Sequence, residues 1–172
     1  ALPISLRLLV TSTEPLGPPL REGFALRFRK PIFEGYGVTE ATPLASVNIP
    51  DVLETWHWTI QTGCKPGTVG MPLPGTCFRI VDPVTWEEQP RGGEGQVLIG
   101  GVPIMQGYLG DPERTAEVIV ELDGRPWLRT GDRGWLDPDG FLTLTEQGAA
   151  SARMGSAPVT ACASNTDPTD AV

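Results

Sequence analysis

Short apolar segments alternate with turn residues along most of this chain. Residues 6–11 and 31–36 are apolar runs that predict strands, and residues 18–29 between them have a helical pattern. The apolar positions of this predicted helix are Leu20, Phe24 and Phe28. Their spacing predicts a helix that packs on a core. Strand, helix and strand in succession predict a βαβ unit, in which ligands bind beyond the carboxyl ends of the strands.

The middle of the chain has a less regular pattern. Residues 41–47 predict a short helix after Glu40, and residues 48–70 predict a loop. This loop contains the only histidine, His57, between two tryptophans. We expect the tryptophans to pack against the protein. For His57 we expect a structural or surface role and no general-base role, because no serine or cysteine nucleophile accompanies it.

The pattern changes to short β elements from residue 67 onward. Strands are predicted over residues 77–82, 95–101 and 127–130, and a hairpin over 135–144 with a turn at 137–140. One helix interrupts them, starting at Asp111 as N-cap with proline next. Its predicted apolar side consists of Thr115, Val118, Ile119 and Leu122.

These elements predict a protein of the α/β (α+β) class with three parts. Residues 1–66 contain the βαβ unit, and residues 67–147 are rich in short β elements. Residues 148–172 are rich in Ala, Ser, Thr and Gly. Because such a segment buries little apolar surface, we expect a disordered tail, encoded out of frame or following a truncation.

Composition narrows the possible functions. The chain has 172 residues, a single-domain length, and 13 basic against 21 acidic residues, for a net charge of −8. This balance disfavours binding to a nucleic-acid backbone. The three cysteines form no C-x-x-C pair, so neither a zinc site nor a disulfide framework is indicated, and a cytoplasmic location is expected. No apolar run is long enough to span a membrane. A larger parent protein could still associate with the inner face of the membrane.

The most informative segment is residues 35–40, Gly-Tyr-Gly-Val-Thr-Glu. Gly35 and Gly37 would let the backbone turn sharply and a flat ligand come close. Tyr36 offers a ring face for a purine. Thr39 would lie at a helix N-terminus, which favours phosphate, and Glu40 supplies a carboxylate suited to Mg²⁺.

This segment resembles the Tyr-Gly-x-Thr-Glu signature of the adenylate-forming superfamily, which includes acyl-CoA synthetases and luciferases. Residues 127–132, Trp-Leu-Arg-Thr-Gly-Asp, are similar to a second signature of that superfamily. Residues 12–16 are similar to its adenine-pocket loop, residues 67–75 to a glycine- and proline-rich segment, and residues 94–108 to a segment that ends in Met-x-Gly-Tyr. The resemblance covers about residues 4–145. It implies that residues 1–66 are the end of a βαβ nucleotide-binding sheet and that residues 67–147 are a small distorted β-barrel subdomain.

The resemblance implies a role for each matching residue. Tyr36 would stack on adenine between Gly35 and Gly37, with Glu14 in the adenine-pocket loop. Thr39 would hold the phosphate of ATP or AMP, and Glu40 would bind Mg²⁺. Asp132 would accept hydrogen bonds from both ribose hydroxyls, although a Thr-Gly-Asp turn with a purely structural role is the alternative for it. Thr39 and Glu40 would thus be the catalytic residues.

The resemblance also implies a reaction and its partners. In the family, ATP activates a carboxylate such as a fatty acid as an acyl-adenylate, and a thiol of CoA or acyl-carrier protein then takes the acyl group. Residues 34–48, 70–75 and 80–83 are most similar to bacterial long-chain acyl-ACP ligases that are fused to acyltransferases. The glycine-rich phosphate loop, the hinge and the C-terminal lysine of the family have no counterpart, so we expect a piece of a larger enzyme that is inactive alone. Two alternatives stay open, a nucleotide-binding remnant without activity and a β-rich interaction module.

Overall fold

The computed structural model describes residues 6–12 and 16–148, which form two main sheets and a separate hairpin. Glu14 lies outside the described residues, as do residues 149–172 of the segment 148–172 for which disorder was predicted. The first sheet has the order β1-β2-β3-β6, comprising Val10–Thr11, Phe33–Tyr36, Ser46–Val47 and Met71–Pro72. Strands β1 and β2 are parallel, and helix α1, Pro18–Phe28, connects them. The predicted βαβ unit is therefore confirmed.

Helix α1 does not pack on the core as its pattern predicted. No residue of α1 is buried within the described part of the chain, and Leu20 is 63% exposed. Pro18 at the first helical position and a left-handed Arg29 after the last turn still define its ends. Strand β1 is also shorter than predicted, and its residue Val10 is exposed.

The helix predicted to run to residue 47 is limited to one 3-10 turn, Thr39–Ala41. Thr42 has a left-handed backbone, with φ of 54°, and Pro43 follows it. A residue before proline is disfavoured in the α region, so the helix ends there. The chain then returns as β3, which pairs antiparallel with β2 through Gly35 and Val47.

The predicted loop over 48–70 contains a hairpin of its own, formed by β4, Val52–Glu54, and β5, Thr59–Gln61. Trp56 is 89% and Trp58 is 77% exposed, so the expectation that they pack is wrong for the described structure. His57 is exposed beside Glu54, as its predicted surface role requires.

The second main sheet has the strand order β11-β10-β8-β7, with β9 also paired to β10. Its strands are β7, Thr76–Val81; β8, Gly95–Gly101; β9, Ile119–Leu122; β10, Arg125–Leu136; and β11, Leu142–Glu146. The described strands form an open sheet, so the barrel expected for residues 67–147 is not closed. Helix α2, Pro112–Val118, begins at the Asp111 cap as predicted but ends before Ile119, which starts β9.

One apolar core joins the two main sheets. Tyr36, Val38, Ala41 and Ala45 from the first sheet region pack with Ile80, Val97, Ile99, Leu128 and Leu142 from the second. Backbone hydrogen bonds also cross between them, from Val69 N to Leu142 O at 2.8 Å and from Leu142 N to Gly70 O at 3.0 Å. Strand β6, which lies beyond residue 66, belongs to the first sheet. None of the described helices is long and apolar enough to cross a membrane.

Candidate nucleotide site

Tyr36 and Asp132, which are far apart in sequence, are in direct contact. The Tyr36 hydroxyl donates a hydrogen bond to Asp132 Oδ2, and both residues are almost completely buried. Tyr36 is the last residue of β2, at the carboxyl end of the parallel pair. Burial, followed by the Asp132 carboxylate, raises the pKa of the Tyr36 phenol well above its ordinary value. The phenol therefore stays protonated and acts as a donor at neutral pH.

The backbone of β10 presents Asp132 to this contact. Residues 128, 130, 132 and 134 alternate onto the buried face of the strand, although the register with β8 shifts between Arg129 and Arg133. Gly131 has φ of 82°, a backbone conformation that favours glycine. The Thr-Gly-Asp sequence is thus an irregularity within a long strand rather than a terminal turn. Thr130 Oγ1 accepts from the Asp132 amide at 3.1 Å.

The other carboxylate oxygen of Asp132 also has a partner. Gly148 N donates to Asp132 Oδ1 at 2.6 Å, which brings the last described residue over the carboxylate. Both oxygens that the resemblance assigns to ribose hydroxyls therefore accept hydrogen bonds from the protein itself. A ribose at this position would have to share or displace those bonds.

A cavity of about 570 Å³ lies against Gly35 and Tyr36. This volume falls in the range of pockets that hold small molecules, about 300–1,000 Å³. Its lining combines three parts of the chain beside β2. They are Ser12, Leu16–Pro18 and Arg21 around the start of α1, Gly67 to Val69, and Leu144 to Gln147 at the end of β11. The Tyr36 ring itself is only 1% exposed, so stacking on it requires neighbouring side chains to move.

The two glycines beside Tyr36 are required by the chain itself. A Cβ on Gly35 would lie 2.8 Å from Leu44 Cδ1 and from Ser46 O, and one on Gly37 would overlap the carbonyl oxygen of Pro43. Neither glycine has a positive φ among those recorded for the described residues. Close approach of the neighbouring segment, rather than a sharp turn, therefore explains why glycine occupies both positions.

Glu34 is a cavity residue that the sequence reading did not select. Its Oε1 accepts a hydrogen bond from Leu16 N at 3.0 Å, and its Oε2 lies 3.5 Å from Arg21 Nη2. Glu34 thus links β2 to the start of α1 and places a charged pair at the cavity wall. The available signal was an acidic residue inside an otherwise apolar strand.

Thr39 and Glu40 do not line this cavity, although both are among the described residues. Thr39 is exposed, and its position in a single 3-10 turn means that the expected helix dipole is small. Glu40 is partly exposed, and its Oε1 accepts a hydrogen bond from Tyr108 Oη at 2.7 Å. This hydrogen bond, more than burial, raises the pKa of the Tyr108 phenol.

Glu40 could bind a hard cation only if a ligand such as a phosphate supplied further oxygen atoms. No group of three His, Cys, Asp or Glu side chains within the described residues is arranged to hold a metal ion. Mg²⁺ commonly binds through one or two carboxylates, with phosphate and water oxygens completing its shell. A single accessible carboxylate at Glu40 is compatible with that mode of binding.

Together these features define a mixed α/β protein with a cavity at the end of its parallel strands. Residues 1–109 match the family model described as AMP-binding enzyme. The chain belongs to this family, within the adenylate-forming superfamily, so the resemblance inferred from its two motifs is confirmed at that level.

Its relatives are ligases. The chain is 35% identical to 4-coumarate–CoA ligase of Pinus taeda over 144 residues, 83% of this chain and 25% of that protein. It is 37% identical to 4-coumarate–CoA ligase 2 of Oryza sativa subsp. japonica, with 83% and 24% covered. The chain thus spans about a quarter of the length of these relatives.

Solved structures also match this chain over a part of their own length. The match to apo MatB from Rhodopseudomonas palustris has a TM-score of 0.68 and 28% identity, covering 83% of this chain and 26% of MatB. The match to a long-chain-fatty-acid-CoA ligase (FadD1) from Archaeoglobus fulgidus has a TM-score of 0.67 and 27% identity, with 83% and 28% covered. The ATP-bound form of the same MatB matches with a TM-score of 0.65 and 27% identity, with 83% of this chain and 25% of that chain covered.

Proposed function

We propose that this chain is the nucleotide-binding portion of an ATP-dependent acid–thiol ligase and that its cavity beside Tyr36 takes the adenosine part of ATP or AMP. The observation that carries this proposal is the contact between Tyr36 and Asp132 at the end of the parallel strands. It joins the two family signatures in one place, next to a cavity of suitable volume. Glu14, in the adenine-pocket loop, would complete this site.

The residues would have distinct roles toward the nucleotide. Adenine would lie along Gly35, Tyr36 and Gly37, and stacking on the ring would need the ring to be uncovered. Ribose hydroxyls would bind Asp132 in place of the Gly148 amide. Thr39 would contact phosphate, and Glu40 would hold a magnesium ion that neutralises phosphate charge.

The parent enzyme would catalyse two group-transfer steps. A carboxylate oxygen of the acid attacks the α-phosphorus of ATP while the bond to pyrophosphate breaks, which gives an acyl-adenylate. The sulfur of a phosphopantetheine thiol then attacks the acyl carbon, AMP leaves, and the thiol proton is released. We propose a fatty acid as the acid and acyl-carrier protein or CoA as the thiol, on the similarity of residues 34–48, 70–75 and 80–83 to acyl-ACP ligases.

We also propose that the chain divides into two parts at residue 66. Residues 1–66 carry the nucleotide-facing strand β2, and residues 67–147 carry Asp132. The nucleotide would then bind where the two parts meet.

Equilibrium titration of the purified chain with AMP tests the proposal. We expect saturable binding to the wild type and at least tenfold weaker binding to Asp132→Asn, because the amide replaces one of the two acceptor oxygens by an NH2 donor. The matched control is Asp139→Asn, which alters an exposed carboxylate in the β10–β11 turn. Circular dichroism establishes that each variant is folded.

A nuclear magnetic resonance readout locates the bound nucleotide. Because ribose would replace the Gly148 amide at Asp132, the Gly148 amide proton should shift and exchange faster with AMP present. If AMP does not bind saturably, or if Asp132→Asn binds it as well as the wild type does, the proposed site is wrong.

A further inference from the structure

Tyr108 joins a motif outside the cavity to the carboxylate of Glu40. Its hydroxyl donates to Glu40 Oε1 at 2.7 Å, and three residues earlier Met105 N donates to the Glu40 carbonyl oxygen at 2.8 Å. Both the side chain and the backbone of Glu40 are therefore held by residues 105–108. In the described part of the chain, the Tyr108 hydroxyl is the one recorded hydrogen-bond partner of the Glu40 carboxylate.

Tyr108 is itself fixed from several directions. Its amide donates to Thr115 Oγ1 at 2.9 Å, and Thr115 Oγ1 donates to Asp111 O at 2.8 Å. The Arg114 guanidinium lies 4.2 Å from the centre of the Tyr108 ring. These contacts with α2 and its cap restrict the ring, so the hydroxyl has a defined position rather than a freely sampled one.

A small cavity lies beside this contact. It has a volume of about 30 Å³ and is bordered by Glu40, Tyr108, Thr130 and Arg129, among others. A cavity of this size has room for one water molecule. The partly exposed Glu40 carboxylate therefore meets a space in which a small polar group fits, and Tyr108 fixes the angle at which the carboxylate meets it.

We infer, on the basis of the proposed nucleotide-binding function, that Tyr108 is a positioning residue that orients the Glu40 carboxylate for the magnesium ion of bound ATP. A carboxylate that accepts one hydrogen bond at Oε1 keeps Oε2 directed elsewhere. Groups that orient metal ligands commonly change metal affinity by about 10–100-fold when they are removed. Tyr108 would thereby act through Glu40 and would not touch the nucleotide.

A different role for Tyr108 is that of a structural brace between residues 105–108 and the 3-10 turn. The two roles predict different measurements. A brace would affect stability and the binding of every nucleotide. A positioning residue affects only the part of ATP affinity that depends on magnesium.

The experiment compares ATP and AMP affinity with and without Mg²⁺ for the wild type, Tyr108→Phe, Glu40→Gln and the double variant. Phenylalanine keeps the ring beneath Arg114 and removes only the hydroxyl. We expect Tyr108→Phe to reduce the magnesium-dependent gain in ATP affinity about tenfold. AMP affinity should stay unchanged, and the melting temperature should fall no further than in the control variant Thr42→Val. The double variant should lose no more than Glu40→Gln.

The matched control is Thr42→Val. Thr42 Oγ1 donates to Pro103 O at 2.9 Å, so it bonds the same two segments without contacting the Glu40 carboxylate. This control should keep the full magnesium-dependent gain. The inference would be overturned if Tyr108→Phe lost AMP affinity and melting temperature along with the magnesium-dependent gain in ATP affinity. It would also be overturned if Tyr108→Phe kept the wild-type gain, or if the losses of Tyr108→Phe and Glu40→Gln added up in the double variant.

The outcomes also separate this inference from the proposed function. If the wild type binds AMP but its ATP affinity does not respond to Mg²⁺, the inference about Tyr108 fails and the nucleotide site stands. If the wild type binds neither nucleotide, the proposed function fails and the inference fails with it.

Discussion

The Tyr36 hydroxyl donates a hydrogen bond to the carboxylate of Asp132, which is fully buried. A hydrogen bond to a charged group contributes about 1.5–3 kcal/mol, more than a bond between neutral groups. Removing the donor leaves Asp132 with one fewer partner in a buried setting, where a poorly satisfied charge is costly. The same hydroxyl therefore supports both the proposed site and the stability of the core.

Replacing Tyr36 by phenylalanine should lower the free energy of unfolding by about 1.5–3 kcal/mol, because the buried hydrogen bond to Asp132 is lost. Urea unfolding measures this change. Thr145→Val is the control, since it removes an exposed hydroxyl bond to Glu94 and should change stability by no more than about 0.5 kcal/mol. Equal effects of the two variants would contradict this role of the buried contact.

The two tyrosines of the chain, Tyr36 and Tyr108, should both ionise above the ordinary tyrosine pKa of about 10. Absorbance at alkaline pH measures tyrosinate directly, and Tyr108→Phe leaves Tyr36 as the only signal. Since the folded pKa is raised, the contribution to stability is complete below pH 10 or so and is lost as pH rises toward the folded value. In Tyr108→Phe, tyrosinate should form only as the circular dichroism signal is lost. Ionisation of Tyr36 in the folded chain near pH 10 would contradict this.

At the level of single residues, sequence reasoning selected the pair that the fold brings together. The identity of Tyr36 and Asp132 was available from their motifs, but their mutual hydrogen bond was not, because it depends on how two sheets pack. Gly37 also has a structural reason that its motif did not reveal. A Cβ at this position would meet the backbone of Pro43, whose close approach depends on how residues after the 3-10 turn return to the sheet.

At the level of elements, the segment after Glu40 shows where local pattern misleads. Its apolar residues are compatible with a helix, but Thr42 and Pro43 break it, and Ser46–Val47 becomes a strand. That strand lies directly against Gly35, and both glycines are needed to admit it. The hydrophobic pattern of α1 misled in another way, because it predicts a buried face without identifying what covers it.

Gly37→Ala should destabilise the chain by about 1–3 kcal/mol or more, because the added methyl group meets the Pro43 backbone, which cannot move without shifting β3. Thermal and urea unfolding measure the effect. Gly23→Ala is the matched control, because a Cβ there meets no atom within 4 Å and the site lies in α1. That substitution should stabilise the chain by about 0.5–1 kcal/mol through helix propensity. A neutral Gly37→Ala would show that β3 is not packed as described.

At the level of the whole molecule, the order of strands and helices was largely readable from the sequence. The βαβ unit, the Asp111 cap and the β10–β11 hairpin are confirmed, because each depends on local spacing and turn residues. The open shape of the second sheet and the exposed β4–β5 hairpin were not readable. Both depend on which strand edges find partners, and that is a long-range property.

The shared core and the crossing backbone bonds should make the two main sheets unfold together. We expect one urea transition with the same midpoint by far-ultraviolet circular dichroism and by tryptophan fluorescence, as two-state unfolding requires. Strand β6 supports this, since it pairs with β3 while its neighbours Val69 and Gly70 bond to Leu142. Two separated transitions would mean that residues 1–66 and 67–147 are independently stable.

The reactivity of the Lys65 amine reports whether the turn between β10 and β11 is docked. The Lys65 ammonium group is bonded to Asp137 and, at 2.6 Å, to Asp139, so it ties the segment after the β4–β5 hairpin to the turn between β10 and β11. The bonds to Asp137 and then to Asp139 raise the pKa of the Lys65 amine. Acylating reagents attack only the uncharged amine. Slow acetylation of Lys65 in a mass-spectrometric footprint would therefore report that the turn is docked, and rapid acetylation would report that it has come away.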